Sequence, residues 1–288
     1  MHSFRFFASV ILFFFCFSCS KFKPTQTIVI AETNEPSGDE MNFNNLLVSA
    51  LYAAQLPENL SASIMGIIGG NPAFVLDLFE ILQVDPYLYV LVDKEHSLAQ
   101  NYEPEDLIEL VNGSYRVSRT GLLLRKAAVA SLEEMSAAAR NEGFTLIASS
   151  AYRSYNYQVQ VYESNVKEMG QQAADRVSAR PGYSQHQLGL VIDFGSITND
   201  FARTPEGIWL LTNASRFGWS LSYPENYENV TGYSWESWHF RYVGRELAEF
   251  IDNYFNGIQQ YALRFIHEFT RSTADTVSTL KILPDQIQ

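Results

Sequence analysis

Apolar residues at helical spacing dominate the segment from residue 43 to residue 86. The first group recurs along one helix face and comprises Leu46, Leu47, Ala50, Leu51 and Ala54. A second piece ends at Gly69-Gly70, and a third, residues 73–82, ends before Asp85-Pro86. The pattern predicts an N-terminal helical extension over 43–86. It carries no chemical signature, which leaves a packing role or a partner surface, and packing is the simpler interpretation.

After residue 87, helix-like and strand-like patterns mix without regular alternation. Strands are predicted at 87–93, 144–149, 190–193 and 237–243. Helices are predicted at 122–141, 155–169, 206–217 and 245–270. Because strands and helices do not alternate as βαβ units, the pattern favours an α+β fold over a doubly wound sheet.

The N-terminus carries a solid apolar run from Phe6 to Phe17, which is followed by polar residues. This is the length of a signal-peptide hydrophobic region and is short for a membrane span. Cys19 directly follows Ser18, which resembles the lipobox of bacterial lipoproteins, so residues 1–19 are predicted as a lipoprotein signal with Cys19 lipidated. An ordinary cleaved signal peptide is the alternative, and both predict export to the cell envelope. Residues 20–42 are mostly polar and are predicted as a tether.

Composition narrows the possible functions. The chain has 288 residues and a formal net charge of −12, so a nucleic-acid partner is not expected. With 47% hydrophobic residues it can bury a substantial core. The only two cysteines are Cys16 and Cys19, so the body of the protein has no disulfide, thiol nucleophile or thiolate zinc ligand. Any metal site must therefore use His, Asp and Glu.

Two histidine-containing segments stand out. His186 and Asp193 are joined through Gly189 and a short apolar strand, and they could meet if the chain turns at that glycine. An ionised carboxylate at the end of a buried strand is costly unless it is paired or bound to a cation. A structural salt bridge or cap is the alternative, and this segment alone favours it.

The second segment contains Glu236 and His239, which could share a helical face or lie on opposite faces of a strand. Two histidines and one aspartate are a ligand set that catalytic zinc accepts, with water at the fourth position. A nearby glutamate outside the ligand set is what such a site needs as general base. Arg153 follows a predicted strand; a surface charge or salt bridge is its default interpretation, but near a metal it could stabilise an oxyanion.

Three segments in this order resemble one family. They are Tyr152-Arg153-Ser154, then Ser184-x-His186-x-x-Gly189-x-x-x-Asp193, then Glu236-x-Trp238-His239. Together they are similar to the VanY-type D-alanyl-D-alanine carboxypeptidases, zinc peptidases related to the D,D-dipeptidases and the hedgehog domain. The resemblance covers residues 87–258 and implies a small mixed, mainly antiparallel sheet flanked by helices. Residues 259–288 are then a C-terminal helix and tail.

The resemblance also implies roles for individual residues. His186, Asp193 and His239 match the ligands of one Zn²⁺ per chain. Glu236 matches the catalytic base, and Arg153 matches the residue that stabilises the tetrahedral intermediate. The positions implied to contact substrate are Ser184, Gln158 and Trp238.

The implied function is an exported, zinc-dependent D,D-carboxypeptidase that removes the terminal D-Ala from peptidoglycan stem peptides. Its partners are then the stem peptide and, through the lipid on Cys19, the membrane. A D,D-dipeptidase or an L,D-type endopeptidase on the same scaffold is the enzymatic alternative. A non-catalytic wall-binding module is the alternative from another class, and the intact set of chemical residues disfavours it.

Overall fold

A computed structural model describes residues 38–281 of the chain. Its helices are α1 (Gly38–Ala53), α2 (Glu58–Gly70), α3 (Ala73–Leu82), α4 (Lys126–Asn141), α5 (Tyr155–Met169), α6 (Gln171–Val177), α7 (Pro205–Asn213), α8 (Glu228–Thr231), α9 (Arg245–Tyr254) and α10 (Gln259–Lys281). Its strands are β1 (Leu107–Glu109), β2 (Arg116–Val117), β3 (Leu123–Arg125), β4 (Ile147–Ser150), β5 (Val191–Phe194), β6 (Trp219–Leu221) and β7 (His239–Tyr242).

The central sheet has five strands in the order β2-β4-β5-β7-β6. Only the β2–β4 pair is parallel, and the other three pairs are antiparallel. All four residues of β5 are buried, since β5 lies in the middle of the sheet between β4 and β7. A separate hairpin-like pair joins β1 and β3. The predicted α+β class with a mixed, mainly antiparallel sheet is confirmed.

Several predicted elements differ from the structure. Residues 87–93 were expected to form a strand, but Pro86–Leu88 form a short 3₁₀ helix whose first amide donates to the Asp85 carboxylate. The carbonyl groups of Tyr87, Leu88 and Val90 accept hydrogen bonds from the Arg241 guanidinium instead of from a neighbouring strand. The predicted helix 122–141 begins with β3, and α4 starts only at residue 126. Strand β6 was not predicted, because three residues are too few to show an alternating pattern.

The core consists of two hydrophobic clusters. One holds α4 and α7 against the sheet. The other joins α1, α2 and α3 to α9 and α10, with Phe74 of α3 at its centre. The Phe74 ring lies 5.0 Å from that of Phe250 and 5.6 Å from that of Phe265. The helical extension therefore packs against the C-terminal helices, including α9, which belongs in chain order to the predicted 87–258 domain.

The predicted tether 20–42 overlaps the structure at its end, since α1 begins at Gly38. The predicted signal segment and Cys19 lie outside the described residues. Within residues 38–281, no single helix has the length and apolar composition to cross a membrane. Helices α2 and α3 have that length and composition only when taken together, and the angle between them is 101°.

Candidate active site

The register of the sheet brings the predicted metal ligands together. Asp193 on β5 is paired with His239 on β7 on one side and with Ser150 at the end of β4 on the other. Asp193 is 1% exposed and His239 4% exposed, so both are shielded from bulk water. The Asp193 and His239 side chains approach to 3.2 Å, between Oδ1 and Nδ1.

The turn before β5 delivers the third ligand. His186 lies in a short 3₁₀ helix that Gly189 ends with a φ of +66°, a conformation that favours glycine. A Cβ at Gly189 would lie 2.8 Å from Leu107 Cδ2, so the site also requires a small residue for space. His186 Nδ1 lies 2.6 Å from the Ala151 carbonyl oxygen. Because a carbonyl can only accept, Nδ1 carries the proton and Nε2 presents its lone pair.

The three ligand atoms fit a small divalent metal. One atom from each of His186, Asp193 and His239 lies within 4.8 Å of the others. His186 Nε2 is 3.3 Å from Asp193 Oδ2, close to the ~3.3 Å edge of a tetrahedron with bonds of ~2.0 Å. Asp193 Oδ1 is buried and, although His239 Nδ1 lies 3.2 Å away, it makes no hydrogen bond of good geometry. A buried carboxylate oxygen without a partner is costly, and a bound cation would satisfy it.

The pKa values in this cluster are displaced by burial and by the neighbouring charges. Burial and the adjacent Arg153 guanidinium lower the pKa of His186 to about 4, which keeps the ring neutral and able to bind a metal. Burial opposes ionisation of Asp193, but the two imidazoles hold its pKa well below the usual range. Burial also opposes protonation of His239, but the carboxylates of Asp193 and Glu236 raise its pKa above the ordinary value.

Arg153 lies at the rim of the cluster. Its Nη2 is 2.9 Å from His186 Nε2 and 2.9 Å from Asp193 Oδ2, so the guanidinium is hydrogen-bonded to two of the predicted ligand atoms. Its Nε donates to Ser150 Oγ at 3.2 Å, and Nη1 donates to Gln158 Oε1 at 3.3 Å. The guanidinium is therefore held from the sheet and from α5, as a group that contacts an oxyanion needs to be.

Glu236 lies in the loop before β7, so the helical arrangement considered for the Glu-x-x-His pattern does not occur. Its Oε2 is 3.3 Å from His239 Nδ1. Burial raises the pKa of Glu236 above its ordinary value, although His239 opposes the shift. A carboxylate beside the ligand atoms with a raised pKa matches the requirement for a general base.

The predicted substrate residues have structural partners in this state. Ser184 is buried and its Oγ accepts from the amide of His186, so it caps the helix that carries this ligand. Gln158 is 1% exposed and connects Arg153 to the Ala179 carbonyl, to which its Nε2 donates at 2.7 Å. Trp238 is half-buried against the sheet core. Their contact with substrate stays a prediction.

Two contributors to the site were missed by the sequence analysis. The Tyr223 ring lies 4.7 Å from that of His239, and the Tyr223 carbonyl accepts from the Glu236 amide at 3.0 Å. Asn199 accepts from the Ser237 amide at 3.2 Å and donates to the Trp235 carbonyl at 3.1 Å. Neither residue stands in a recognisable pattern, and each acts through neighbours that are distant in sequence.

Two further histidines, His96 and His267, are also brought together. The rings of His96 and His267 lie 4.6 Å apart, and His96 Nδ1 is 2.8 Å from Asp93 Oδ1. Within the described residues, the metal-type cluster is confined to His186, Asp193 and His239.

Comparison with known proteins decides the family. The VanY family model, described as D-alanyl-D-alanine carboxypeptidase, matches residues 121–245. The putative carboxypeptidase YodJ of Bacillus subtilis (strain 168) is 36% identical over 193 residues, which cover 65% of this chain and 71% of YodJ. A D-alanyl-D-alanine carboxypeptidase of Enterococcus faecalis (strain ATCC 700802 / V583) is 32% identical over 221 residues, covering 70% of this chain and 77% of that enzyme.

The chain belongs to the VanY family of D-alanyl-D-alanine carboxypeptidases. Among solved structures, the LdcB LD-carboxypeptidase is 36% identical with a TM-score of 0.54, covering 59% of this chain and 86% of LdcB. A VanY D,D-pentapeptidase from a VanB-type resistance cassette, solved as a mutant in complex with Zn(II), is 30% identical with a TM-score of 0.52, covering 62% of this chain and 98% of that one. The predicted family, fold and enzyme class are confirmed, and the zinc in this VanY neighbour agrees with the donor set found here.

Proposed function

We propose that this VanY-family chain is a zinc-dependent D,D-carboxypeptidase that hydrolyses the terminal D-Ala from peptidoglycan stem peptides. The observation that carries the proposal is the buried triad of His186, Asp193 and His239 with the Glu236 carboxylate beside it. A zinc ion bound by these ligands would supply Lewis acidity that activates water and polarises the scissile carbonyl.

The chain's own residues then perform the proton transfers. Glu236 takes a proton from the attacking water and passes it to the amine that leaves with the terminal residue. Burial favours this role, because it raises the pKa of Glu236 toward the working pH. A metal held by His186 Nε2 and Asp193 Oδ2 would take these two atoms from Arg153, and the guanidinium would then be available to the developing oxyanion.

A peptide panel tests the reaction. We expect wild-type protein loaded with zinc to release one alanine from a pentapeptide ending in D-Ala-D-Ala, as detected by mass spectrometry. Glu236→Gln should lose about 10²–10⁴-fold in rate, the contribution typical of a general base, and still bind zinc. Chelator-treated wild type should be inactive until zinc is restored.

The same panel separates the alternatives. Release of the D-Ala-D-Ala dipeptide would indicate a D,D-dipeptidase. Cleavage at an internal bond nearer the glycan would indicate the L,D-type endopeptidase. Loss of only the last residue of a tetrapeptide stem would indicate an L,D-carboxypeptidase, the activity named for the LdcB neighbour. Absence of any cleavage by zinc-loaded wild type would contradict an enzymatic role and favour a wall-binding module.

We also propose that the protein is exported and anchored to the membrane through a lipid on Cys19. Support comes from the apolar run at residues 6–17 and from the Ser18-Cys19 pair. The location agrees with a substrate outside the cytoplasmic membrane. Labelling with a palmitate analogue should mark the wild type and not Cys19→Ser; a label on both proteins would contradict the anchor.

A further inference from the structure

A cavity of about 210 Å³ lies one layer of side chains away from the metal cluster, behind Gln158 and Tyr223. It is smaller than the ~300–1,000 Å³ of most drug-sized ligand pockets. Its walls come from three separate parts of the chain and comprise Lys94, Asp175, Ser178, Arg180, Tyr183 and Tyr233. The mechanism described above uses none of these six residues.

Two routes connect this cavity to the catalytic residues. On one side, Gln158 contacts Ser178 Oγ at 3.5 Å and accepts from Arg153 at 3.3 Å. On the other side, the Tyr233 ring lies 5.0 Å from that of Tyr223, which packs on His239. A peptide with its scissile bond at the metal cluster therefore has the cavity within reach of an adjoining residue.

Lys94 is exposed and brings a positive charge to the cavity, where the Asp175 and Glu228 carboxylates act on it electrostatically. Its Nζ lies 4.5 Å above the centre of the Tyr233 ring and donates to the Asp175 carbonyl oxygen. An ammonium group has three N–H donors, so this single bond leaves two for a ligand. In the part of the chain that the structure describes, no carboxylate forms an ion pair with Lys94.

The one acidic residue that lines the cavity, Asp175, is hydrogen-bonded to other groups and forms no ion pair with Lys94. The Asp175 carboxylate accepts from Arg180 Nε at 3.0 Å and from Nη2 at 2.9 Å. It also accepts from the Tyr162 hydroxyl at 2.7 Å. With Asp175 paired to Arg180, Lys94 leaves the cavity positive in a chain whose net charge is −12.

Contacts of the neighbouring residues Asp93 and Gly232 fix the position of Lys94. The preceding residue, Asp93, is 6% exposed and accepts from Gln260 Nε2 at 2.7 Å. The Lys94 stem packs directly on Gly232, where a Cβ would lie 2.8 Å from Cδ. Gly232 has a φ of +78°, so a side chain there would be strained as well as crowded. These contacts leave room for the lysine stem and aim Nζ at the cavity.

We propose that this cavity is a subsite that binds a carboxylate of the peptide substrate through Lys94. The inference rests on the proposed function, since it assumes a peptide bound at the metal cluster. A stem peptide offers two such groups, its C-terminal carboxylate and the free carboxylate of an isoglutamate within the stem.

The test compares Lys94→Met with wild type on three peptides. They are a pentapeptide ending in D-Ala-D-Ala, the same peptide with a C-terminal amide, and the same peptide with its isoglutamate amidated. On the parent peptide, Lys94→Met should lower kcat/KM by about 10- to 100-fold, the size expected for a charged hydrogen bond. The penalty should vanish on the peptide that lacks the bound carboxylate, which identifies the source. Equal penalties on all three peptides, or none, would overturn the proposal.

Controls separate the subsite from folding and from the proposed function. Lys126→Met removes the same charge at an exposed position outside the cavity and should match wild type. Lys94→Arg should recover part of the loss, and Gly232→Ala should reproduce part of it. Binding of the parent pentapeptide to zinc-loaded Glu236→Gln protein, followed by calorimetry, tests the subsite without turnover. If wild type cleaves nothing, the proposed function fails. The subsite is still supported if the Lys94→Met, Glu236→Gln double variant binds the pentapeptide more weakly than Glu236→Gln does. An equal affinity of the two variants for the pentapeptide would contradict the subsite.

Discussion

Asp193 and His239 are direct partners across the antiparallel pair β5–β7, and their side chains approach to 3.2 Å. Side chains alternate between the two faces of a strand, so a slip of one residue in this pairing would move one ligand to the opposite face. The register of a single strand pair therefore fixes the positions of two of the three predicted metal ligands. The third, His186, arrives through the turn at Gly189.

Replacing Asp193 with asparagine should release the metal. The change keeps the shape of the side chain but removes the negative charge that two imidazoles and a divalent ion require. We expect zinc affinity to fall by more than the ~10–100-fold typical of losing an outer-shell partner. Zinc content after dialysis, measured by plasma mass spectrometry, checks this. Glu236→Gln is the matched control and should keep its zinc; full zinc in Asp193→Asn would show that the triad is not the metal site.

The residues of this triad were predictable from sequence because each stands in a short pattern with characteristic neighbours. Their pairing was not, since it depends on which strands are adjacent. Segment 87–93 shows the limit: its β-branched and aromatic residues favour a strand, but its carbonyl groups accept hydrogen bonds from the buried Arg241 side chain. Asn199 illustrates the same limit, because it acts on residues 36 and 38 positions away.

Asn199 is expected to position Glu236, the proposed catalytic base. Its amide group contacts the backbone on both sides of Glu236, accepting from Ser237 and donating to Trp235. Asn199→Ala removes both hydrogen bonds. A displacement of the base by about 1 Å can lower the rate by up to ~10²-fold. We expect kcat to fall by about 10- to 100-fold with zinc content unchanged.

Asn199→Asp separates the effects of the two hydrogen bonds. Aspartate can still accept from Ser237 but cannot donate to the Trp235 carbonyl, so it should recover only part of the activity. Thr198→Ala, at the exposed neighbouring position, should behave as wild type. A loss that appears in zinc content or thermal stability, with kcat per bound zinc unchanged, would point to a purely structural role.

Arg241 is expected to contribute to stability rather than to catalysis. It is fully buried, and its Nη2 donates to the carbonyls of Tyr87, Leu88 and Val90. Arg241→Met keeps most of the volume but leaves these carbonyls without their donor, which should cost about 1–3 kcal/mol. Arg241→Ala adds a cavity and should cost more. Urea unfolding measures both, and a methionine variant as stable as wild type would show that removing the buried charge offsets the lost hydrogen bonds.

His267 should make folding stability depend on pH. Burial lowers the pKa of His267 below its ordinary value, and the adjacent His96 ring lowers it further. Glu268 and Asp93 oppose the shift, while Arg271 adds to it. A histidine whose pKa is lowered on folding binds protons more readily when unfolded, so its contribution is complete above the unfolded value of ~6.5.

That contribution should be lost as the pH falls from ~6.5 through the folded pKa of His267. We expect the free energy of unfolding of wild type to decrease more steeply over this range than that of His267→Gln. Urea titrations at a series of pH values measure the two slopes, and the difference between them isolates His267 from other titrating groups. His96→Gln removes the neighbouring ring and should reduce the difference. Parallel curves for wild type and His267→Gln would show that the contact between the two rings does not couple folding to protonation.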